Sequence, residues 1–248
     1  MRGLWRLTWL EVKIFVREPL GVIGTVVVPA LMFIVLGRIV GPPMRRGDRS
    51  LPPIVSVDLP ILTAMLIAIS AVLSLVAVMA IYREGGILKG LGATPVRPVT
   101  ILRAQVAVKL LFTALSIALM VLGGRRYYPV PADVPLLAFA GGVLVSTLAV
   151  LSLGFVLASL APTARFAQPI GALILYPMHG ISGLFAPVDV MSPALQTLSR
   201  FVPFTYAVSL LRGLWRGDGW SAHVTDVTAL ALVFVVCTLV ATKAFRWE

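Results

Sequence analysis

Residues Leu59–Tyr82 read LPILTAMLIAISAVLSLVAVMAIY, a long run that contains no charged side chain. A helix needs roughly 20 mostly apolar residues to cross a bilayer core of about 30 Å, so this run predicts a transmembrane helix. The composition of the whole chain agrees with that prediction. Hydrophobic residues make up 59% and charged residues 12% of the 248 positions, whereas a soluble domain has about 45–50% and about 25%.

Segments on both sides of this run are also apolar enough to cross a membrane. They predict an all-α, polytopic membrane protein with six transmembrane helices, formed as a single domain over residues 1–248. Six spans would place both termini on the same side of the membrane. The spans are expected at about residues 20–41, 59–82, 100–124, 135–160, 166–187 and 223–243.

The N-terminal segment 1–19 reads MRGLWRLTWLEVKIFVREP and precedes the first predicted span. Charged residues interrupt its apolar pattern, which is not typical of a cleavable signal peptide. Leu4, Leu7 and Ile14 recur near helical spacing, which predicts an amphipathic helix in the plane of the lipid headgroups. The alternative is a merely basic flank of the first span.

The net charge of +11 comes from 21 Lys and Arg against 10 Asp and Glu. These basic residues form short clusters between apolar runs, so we expect membrane lipids and polar protein surfaces as partners, and no nucleic acid. Counting Lys and Arg in the loops gives only a weak bias towards cytoplasmic termini. The single cysteine, Cys237, allows no internal disulfide.

The segment 83–98, REGGILKGLGATPVRP, separates the second and third predicted spans. A Gly pair relaxes the backbone after the span, and a Thr-Pro pair ends the segment because a residue before proline avoids helical angles. Between these pairs, Ile87, Leu88 and Leu91 form a short apolar stripe at helical spacing. A short helix of this kind suits a groove on a soluble partner, and an ordinary loop between two spans is the alternative.

Polar residues interrupt the fifth predicted span at Gln168, Tyr176 and His179. An intramembrane polar side chain faces either a cavity or a neighbouring helix. These residues therefore line a translocation path or merely hold the bundle together, and the sequence leaves both interpretations open. No metal site is predicted, because His179 and His223 are the only histidines and have no Cys or carboxylate at metal-ligand spacing.

Residues 187–220 are too polar and too rich in proline to form a full span. Ala194–Phe201 and Pro203–Trp215 predict two short helices, since proline is well tolerated in the first turn of a helix. Aromatic residues such as Phe204 and Tyr206 suit the depth of the lipid headgroups.

Several motifs of this chain resemble those of ABC-2 type transporter permeases. The run REGGILKGLGATPV, residues 83–96, is similar to the segment that follows the second span in that family. The blocks GLFAP (183–187), MSP (191–193) and PFTYAVSLLR (203–212) are similar to the family's segment between spans five and six. The resemblance covers nearly the whole chain and is nearest to daunorubicin-type drug exporter permeases.

The resemblance implies a permease subunit of an ATP-driven exporter, working as a homodimer or related heterodimer in the plasma membrane with both termini cytoplasmic. Each protomer would bind a separate cytoplasmic ABC ATP-binding subunit, which would hold ATP and Mg. The chain itself would have no cofactor and no catalytic residue. Residues 83–98 would form a coupling helix seated in that subunit, and residues 187–220 an external re-entrant pair that gates the path.

The resemblance assigns two sets of residues to these roles. The coupling residues are Arg83, Glu84, Gly85, Gly86, Ile87, Leu88, Lys89, Leu91, Thr94 and Pro95. The external gate residues are Pro187, Pro193, Pro203, Phe204 and Tyr206.

The segment GGILKG, residues 85–90, departs from a phosphate-binding loop, because its Lys precedes the last Gly and no Ser or Thr follows. We therefore expect ATP hydrolysis in a partner subunit. The expected cargo is amphiphilic, lipid-like or drug-like, moved outward by alternating access. The alternatives are a polysaccharide or haem exporter of the same family and, in a different class, a membrane-embedded enzyme that modifies lipids.

Overall fold

The computed structural model describes residues 2–17, 22–40, 59–86, 98–124, 135–160, 163–184 and 187–244. In these ranges the chain folds into helices joined by turns, so the prediction of an all-α protein is confirmed. The α-helices are α1 (Arg2–Arg17), α2 (Val28–Val40), α3 (Leu59–Ile69), α4 (Leu75–Glu84), α5 (Pro98–Gly124), α6 (Leu136–Leu160), α7 (Ala164–Ile181), α8 (Pro193–Ser199), α9 (Pro203–Arg216) and α10 (Val224–Ala244).

Shorter helical elements connect some of these helices. A π-helical turn, Ile23–Val27, precedes α2, and a second one, Ser70–Ser74, joins α3 to α4 into one continuous helix. Two 3₁₀ turns, Val188–Val190 and Trp220–His223, precede α8 and α10.

Four helical stretches in the described ranges are long and apolar enough to cross a membrane. They are Leu59–Glu84, Arg103–Leu122, Leu136–Ser159 and Trp220–Lys243. These four coincide with the predicted second, third, fourth and sixth spans, so a polytopic membrane protein is confirmed.

The predicted first and fifth spans fall on helical segments that are not among these four. For the fifth, the physical reason is polarity, since α7 contains Arg165, Gln168, His179 and two prolines. This helix also ends at Ile181, before the expected boundary at residue 187, and Gly183 after it has a positive φ of 82°.

The core of the bundle is built around the continuous helix of α3 and α4. Helices α6, α7 and α9 pack against it, and α10 packs on α6 and α9. Helix α6 approaches it closely at Gly154, where an added Cβ would overlap the carbonyl oxygen of Ala71 in the π-helical turn. A residue without a side chain is therefore required at this crossing, as is common between membrane helices.

A second, smaller group of helices joins α1 and α2 to α5. Phe15, Val26, Val108 and Phe112 form its apolar centre. The ring centroids of Phe15 and Phe112 lie 4.3 Å apart. This group holds the N-terminal helix against the start of the third predicted span.

Substituting Gly154→Ala should destabilise the bundle by about 1–3 kcal/mol, the usual cost of overpacking. The reason is that a backbone carbonyl, unlike a flexible side chain, cannot move out of the way of the new Cβ. The measurement is thermal unfolding of the purified protein in detergent. Gly180→Ala in α7 is the matched control, because no heavy atom lies within 4 Å of a Cβ at that position. Equal melting temperatures for the two variants would contradict the close approach.

Candidate functional site

A buried polar cluster lies where α4 ends and α5 begins. We call Glu11, Tyr82, Gln105 and Lys109 the basal cluster; these residues line one small cleft of about 60 Å³. The Tyr82 hydroxyl donates a hydrogen bond of 2.8 Å to Oε2 of Glu11. Glu11 is 7% exposed and Lys109 is 3% exposed. Three separate helices thus contribute polar side chains to one site with little access to solvent.

Opposing effects act on the pKa of the Glu11 carboxyl group. Burial raises the pKa of its carboxyl group above the ordinary value of 4.5, because desolvation disfavours the charged form. The Tyr82 hydroxyl, the Gln105 amide and the positive charge of Lys109 act in the opposite direction. Gln105 Nε2 has no partner at strict hydrogen-bonding geometry among the described residues, so Tyr82 makes the better-defined contact.

Two faces of α1 have different surroundings. Leu7, Glu11 and Phe15, four residues apart, face inward, and the Lys109 ammonium lies 5.2 Å from the centre of the Phe15 ring. The opposite face exposes Trp5 and Trp9 by 71% and 53%. Since Trp is enriched at membrane–water interfaces, this distribution suits a helix that binds the bundle with one face and headgroups with the other.

The residues after Tyr82 begin the predicted coupling segment. Arg83 Nη2 donates a hydrogen bond of 3.2 Å to the carbonyl oxygen of Ala158, which ties α4 to the end of α6. Glu84 and Gly85 are exposed, and Gly86 has a positive φ of 66°, a conformation that favours glycine. The other predicted coupling residues, Ile87, Leu88, Lys89, Leu91, Thr94 and Pro95, lie outside the described residues.

A polar cleft of about 490 Å³ lies at the opposite end of the bundle. Arg212 donates hydrogen bonds of 2.7 and 3.2 Å to the carbonyl oxygens of Gly183 and Leu184, so α9 holds the turn that follows α7. His223 Nδ1 lies 2.7 Å from Oδ2 of Asp226, and Ser209 donates a 2.8 Å hydrogen bond to the same oxygen. We call this region the distal cleft.

The predicted gate residues lie in different surroundings around the distal cleft. Pro187 and Tyr206 line it, and the Tyr206 hydroxyl donates a 2.7 Å hydrogen bond to the carbonyl oxygen of Arg200. Pro193 and Pro203 occupy the first turns of α8 and α9. Phe204 is fully buried inside the protein, so this aromatic residue contributes to the core within the protomer.

The three polar residues of α7 do not share one environment. His179 is 4% exposed, its Nδ1 lies 2.8 Å from the carbonyl oxygen of Leu175, and its ring centroid lies 4.9 Å from that of Phe204. Tyr176 is 67% exposed. The backbone of Gln168 belongs to α7, but its side chain lies outside the described part of the chain. His179 therefore contacts α9 within the protomer, whereas Tyr176 faces outward.

The sequence pattern did not identify the basal cluster. A lysine near the end of a span commonly extends its side chain to the headgroups, but Lys109 is buried beside Phe15. Two features of the sequence could have pointed to the cluster. Glu11 lies on the otherwise apolar Leu7–Phe15 face of α1, and Gln105 and Lys109 lie one turn apart within a predicted span. A buried charge requires a partner, so these two anomalies could have been paired.

Comparison with known proteins identifies the family of this chain. A family model described as ABC-2 type transporter matches residues 2–215. The chain belongs to the ABC-2 type transporter family. Members of this family are the transmembrane components of ABC transporters and not the ATPases themselves.

Two named relatives of this ABC-2 type chain illustrate the similarity. Nodulation protein J of Rhizobium leguminosarum bv. viciae is 28% identical over 134 residues, which cover 54% of this chain and 49% of that protein. The inner membrane transport permease YhhJ of Escherichia coli (strain K12) is 29% identical over 166 residues, which cover 63% of this chain and 44% of that protein. The aligned part thus spans about half the length of these curated relatives.

Replacing Glu11 by Gln should remove a pH dependence of stability. The folded protein holds a proton on Glu11 at pH values where the unfolded chain has lost it, because burial raises the pKa above 4.5. Stability from this residue is therefore fully present below pH 4.5 and is lost as the pH rises through the raised pKa. The melting temperature of the wild type, relative to Glu11→Gln, should fall across this window and then level off.

The exposed carboxylate of Glu84 provides the control, measured as Glu84→Gln in the same detergent and buffers. A difference between wild type and Glu11→Gln that stays constant as the pH rises from 4.5 would contradict a buried, protonatable Glu11.

Proposed function

We propose that this chain is the permease subunit of an ATP-driven exporter, coupled through residues 83–98 to a separate cytoplasmic ATP-binding subunit. The observation that carries the proposal is the ABC-2 type match over residues 2–215, joined to the position of the basal cluster directly before the coupling segment. Nucleotide and Mg would be bound by the partner. In this chain, the basal cluster would pass movement of the coupling segment to three helices.

We further propose that six helices cross the membrane. The first span, predicted at about residues 20–41, would include α2 and the π-helical turn before it, and α7 would be the fifth. The support is that successive helices alternate between two ends of the bundle. Arg83 at the end of α4 contacts Ala158 near the end of α6. At the opposite end, Arg212 of α9 holds the turn after α7. His223, just before α10, packs against Gly213, which also belongs to α9.

The basal end of this arrangement would face the cytoplasm. It would carry α1, the coupling segment and the end of α10, and the distal cleft would face outside. Both termini would then be cytoplasmic. The similarity to the inner membrane transport permease YhhJ supports the plasma membrane as the location.

An exposed stripe along α7 suggests where two protomers enclose the cargo. Phe166, Pro169, Leu173, Tyr176 and Gly180 are all exposed and recur at intervals of three and four residues, which places them on one face of the helix. This face is apolar apart from the Tyr176 hydroxyl, so it suits an amphiphilic or lipid-like cargo. We propose that the stripe lines the translocation path in a dimer.

Tyr176→Ala and His179→Ala should have different effects. Tyr176→Ala should change the stimulation of ATP hydrolysis by cargo while leaving the melting temperature unchanged, because its side chain is exposed. His179→Ala should lower the melting temperature, because it removes a buried ring that packs on Phe204. The measurements are thermal unfolding and ATP hydrolysis of the reconstituted complex with a panel of amphiphilic cationic dyes. Normal stimulation by every dye in Tyr176→Ala would remove α7 from the proposed path.

Leu88→Asp is the sharpest test of coupling. Burying an unpaired carboxylate in a groove of the partner costs several kcal/mol, and about 1.4 kcal/mol corresponds to a tenfold change in affinity. The variant should therefore lose the ATP-binding subunit without unfolding the membrane domain. The measurement is copurification with a coexpressed ATP-binding subunit encoded by a neighbouring gene, together with the melting temperature of the permease.

Leu195→Asp, in α8 at the distal end, is the matched control because it puts the same charge on a leucine that is 41% exposed. Full recovery of the ATP-binding subunit and unchanged transport with Leu88→Asp would refute the coupling role of residues 83–98. Because that subunit is cytoplasmic, the same result would also remove the support for the proposed orientation.

A further inference from the structure

An apolar groove runs along the outside of the bundle between α5, α6 and α10. We call it the lateral groove; its volume is about 370 Å³, within the roughly 300–1,000 Å³ of typical small-ligand sites. Leu110, Leu148, Phe155 and Phe234 line it, and Arg103 lies at its basal end. We propose that this groove binds an anionic phospholipid of the surrounding leaflet, with the phosphate at Arg103 and an acyl chain along the apolar walls.

The groove is charged at its basal end and apolar further along, which matches the headgroup and the acyl chain of a lipid. Ser152 and Thr242 also line it, but their hydroxyls donate hydrogen bonds of 2.6 and 3.0 Å to carbonyl oxygens of their own helices. Their donors are therefore used. Apart from these two residues and Thr238, the walls beyond Arg103 are apolar. Leu110 is seven residues further along α5, which places it about 10 Å deeper at 1.5 Å per residue. A headgroup at Arg103 would thus have its chain beside Leu110.

The charge at the basal end selects an anion. Arg103 is exposed and is the only charged side chain that lines the groove among the described residues. No carboxylate in the described ranges forms an ion pair with it. Lys243, one residue after Thr242, is exposed too, so two cations flank the groove near headgroup depth. Basic residues at such positions attract anionic lipids.

The surroundings of the groove favour lipid over a second copy of the chain. The outer face of α10 exposes Leu232, Val236 and Leu239 by 65%, 48% and 57%, which is expected for side chains in contact with lipid. A twofold interface across this face would bring two copies of Arg103 to the same depth. It would supply no carboxylate from the described lining to neutralise them, which makes the interface unfavourable.

The proposal is tested with delipidated protein in detergent, titrated with phosphatidylglycerol or with phosphatidylcholine, by counting bound lipids in native mass spectrometry. The wild type should bind phosphatidylglycerol more tightly than phosphatidylcholine. Arg103→Gln should weaken phosphatidylglycerol binding about fivefold, the effect of one basic residue near the surface. Arg103→Lys should keep the preference, which separates loss of charge from loss of fold.

Two further variants test the apolar walls. Ala107→Phe fills the groove and should reduce binding of both lipids. Ala114→Phe lies on the same face of α5, two turns further and outside the lining, and should leave binding unchanged. Arg165→Gln removes an exposed arginine from the start of α7 and controls for general surface charge.

Three outcomes would overturn the lateral groove as a lipid site. The first is equal binding of the two lipids by the wild type, and the second is an equal effect of Arg165→Gln and Arg103→Gln. The third is loss of a dimer in Ala107→Phe with unchanged lipid counts, which would assign the face to a second copy. All three measurements are independent of coupling to an ATP-binding subunit.

Discussion

The packing of the bundle depends on the close approach between Gly154 of α6 and the carbonyl oxygen of Ala71. In lipid, burial of apolar surface gives little drive for helices to associate, so van der Waals contact between small residues must supply it. The crossing lies at the π-helical turn Ser70–Ser74 in the middle of a continuous helix. Helices α7 and α9 pack on that same helix and α10 packs on α6, so the crossing lies at the centre of the bundle.

A second constraint acts at the basal end, where Glu11 and Lys109 are buried together. Burying a polar or charged side chain is costly unless it is hydrogen-bonded. The hydrogen bond from Tyr82 to Glu11 therefore holds α1 in place. An N-terminal helix that only rested on the headgroups would be free of the bundle, whereas this one is attached to α4 and α5.

The sequence predicted a helix correctly wherever local composition alone, such as a long apolar run or a proline in the first turn, defines it. Long apolar runs with few or no charges gave four spans. Proline and serine positions gave α8 and α9 to within a few residues. Contacts between distant segments were not predictable. The helical spacing of α1 puts Glu11 on the same face as Leu7, but it does not name Tyr82 as the partner of Glu11. In the same way, nothing in the sequence around Gly154 names Ala71 as its partner. His179 was ambiguous for the same reason, since its contact with Phe204 joins α7 to α9, and a 3₁₀ turn and α8 lie between these two helices in the chain.

The two constraints together indicate how movement could cross the bundle. Force applied after Glu84 acts on a helix end that is fixed to α1 through Glu11 and to α6 through the carbonyl of Ala158. These three helices therefore respond as a unit at the basal end. Further along, the π-helical turn Ser70–Ser74 interrupts the regular hydrogen bonding of the central helix, and such turns are frequent at functional sites. Bending at this turn would change the angle between α3 and α4 while Gly154 keeps α6 in contact. Such a hinge would turn a displacement at residues 83–98 into a change in how α3, α7 and α9 meet near the distal cleft.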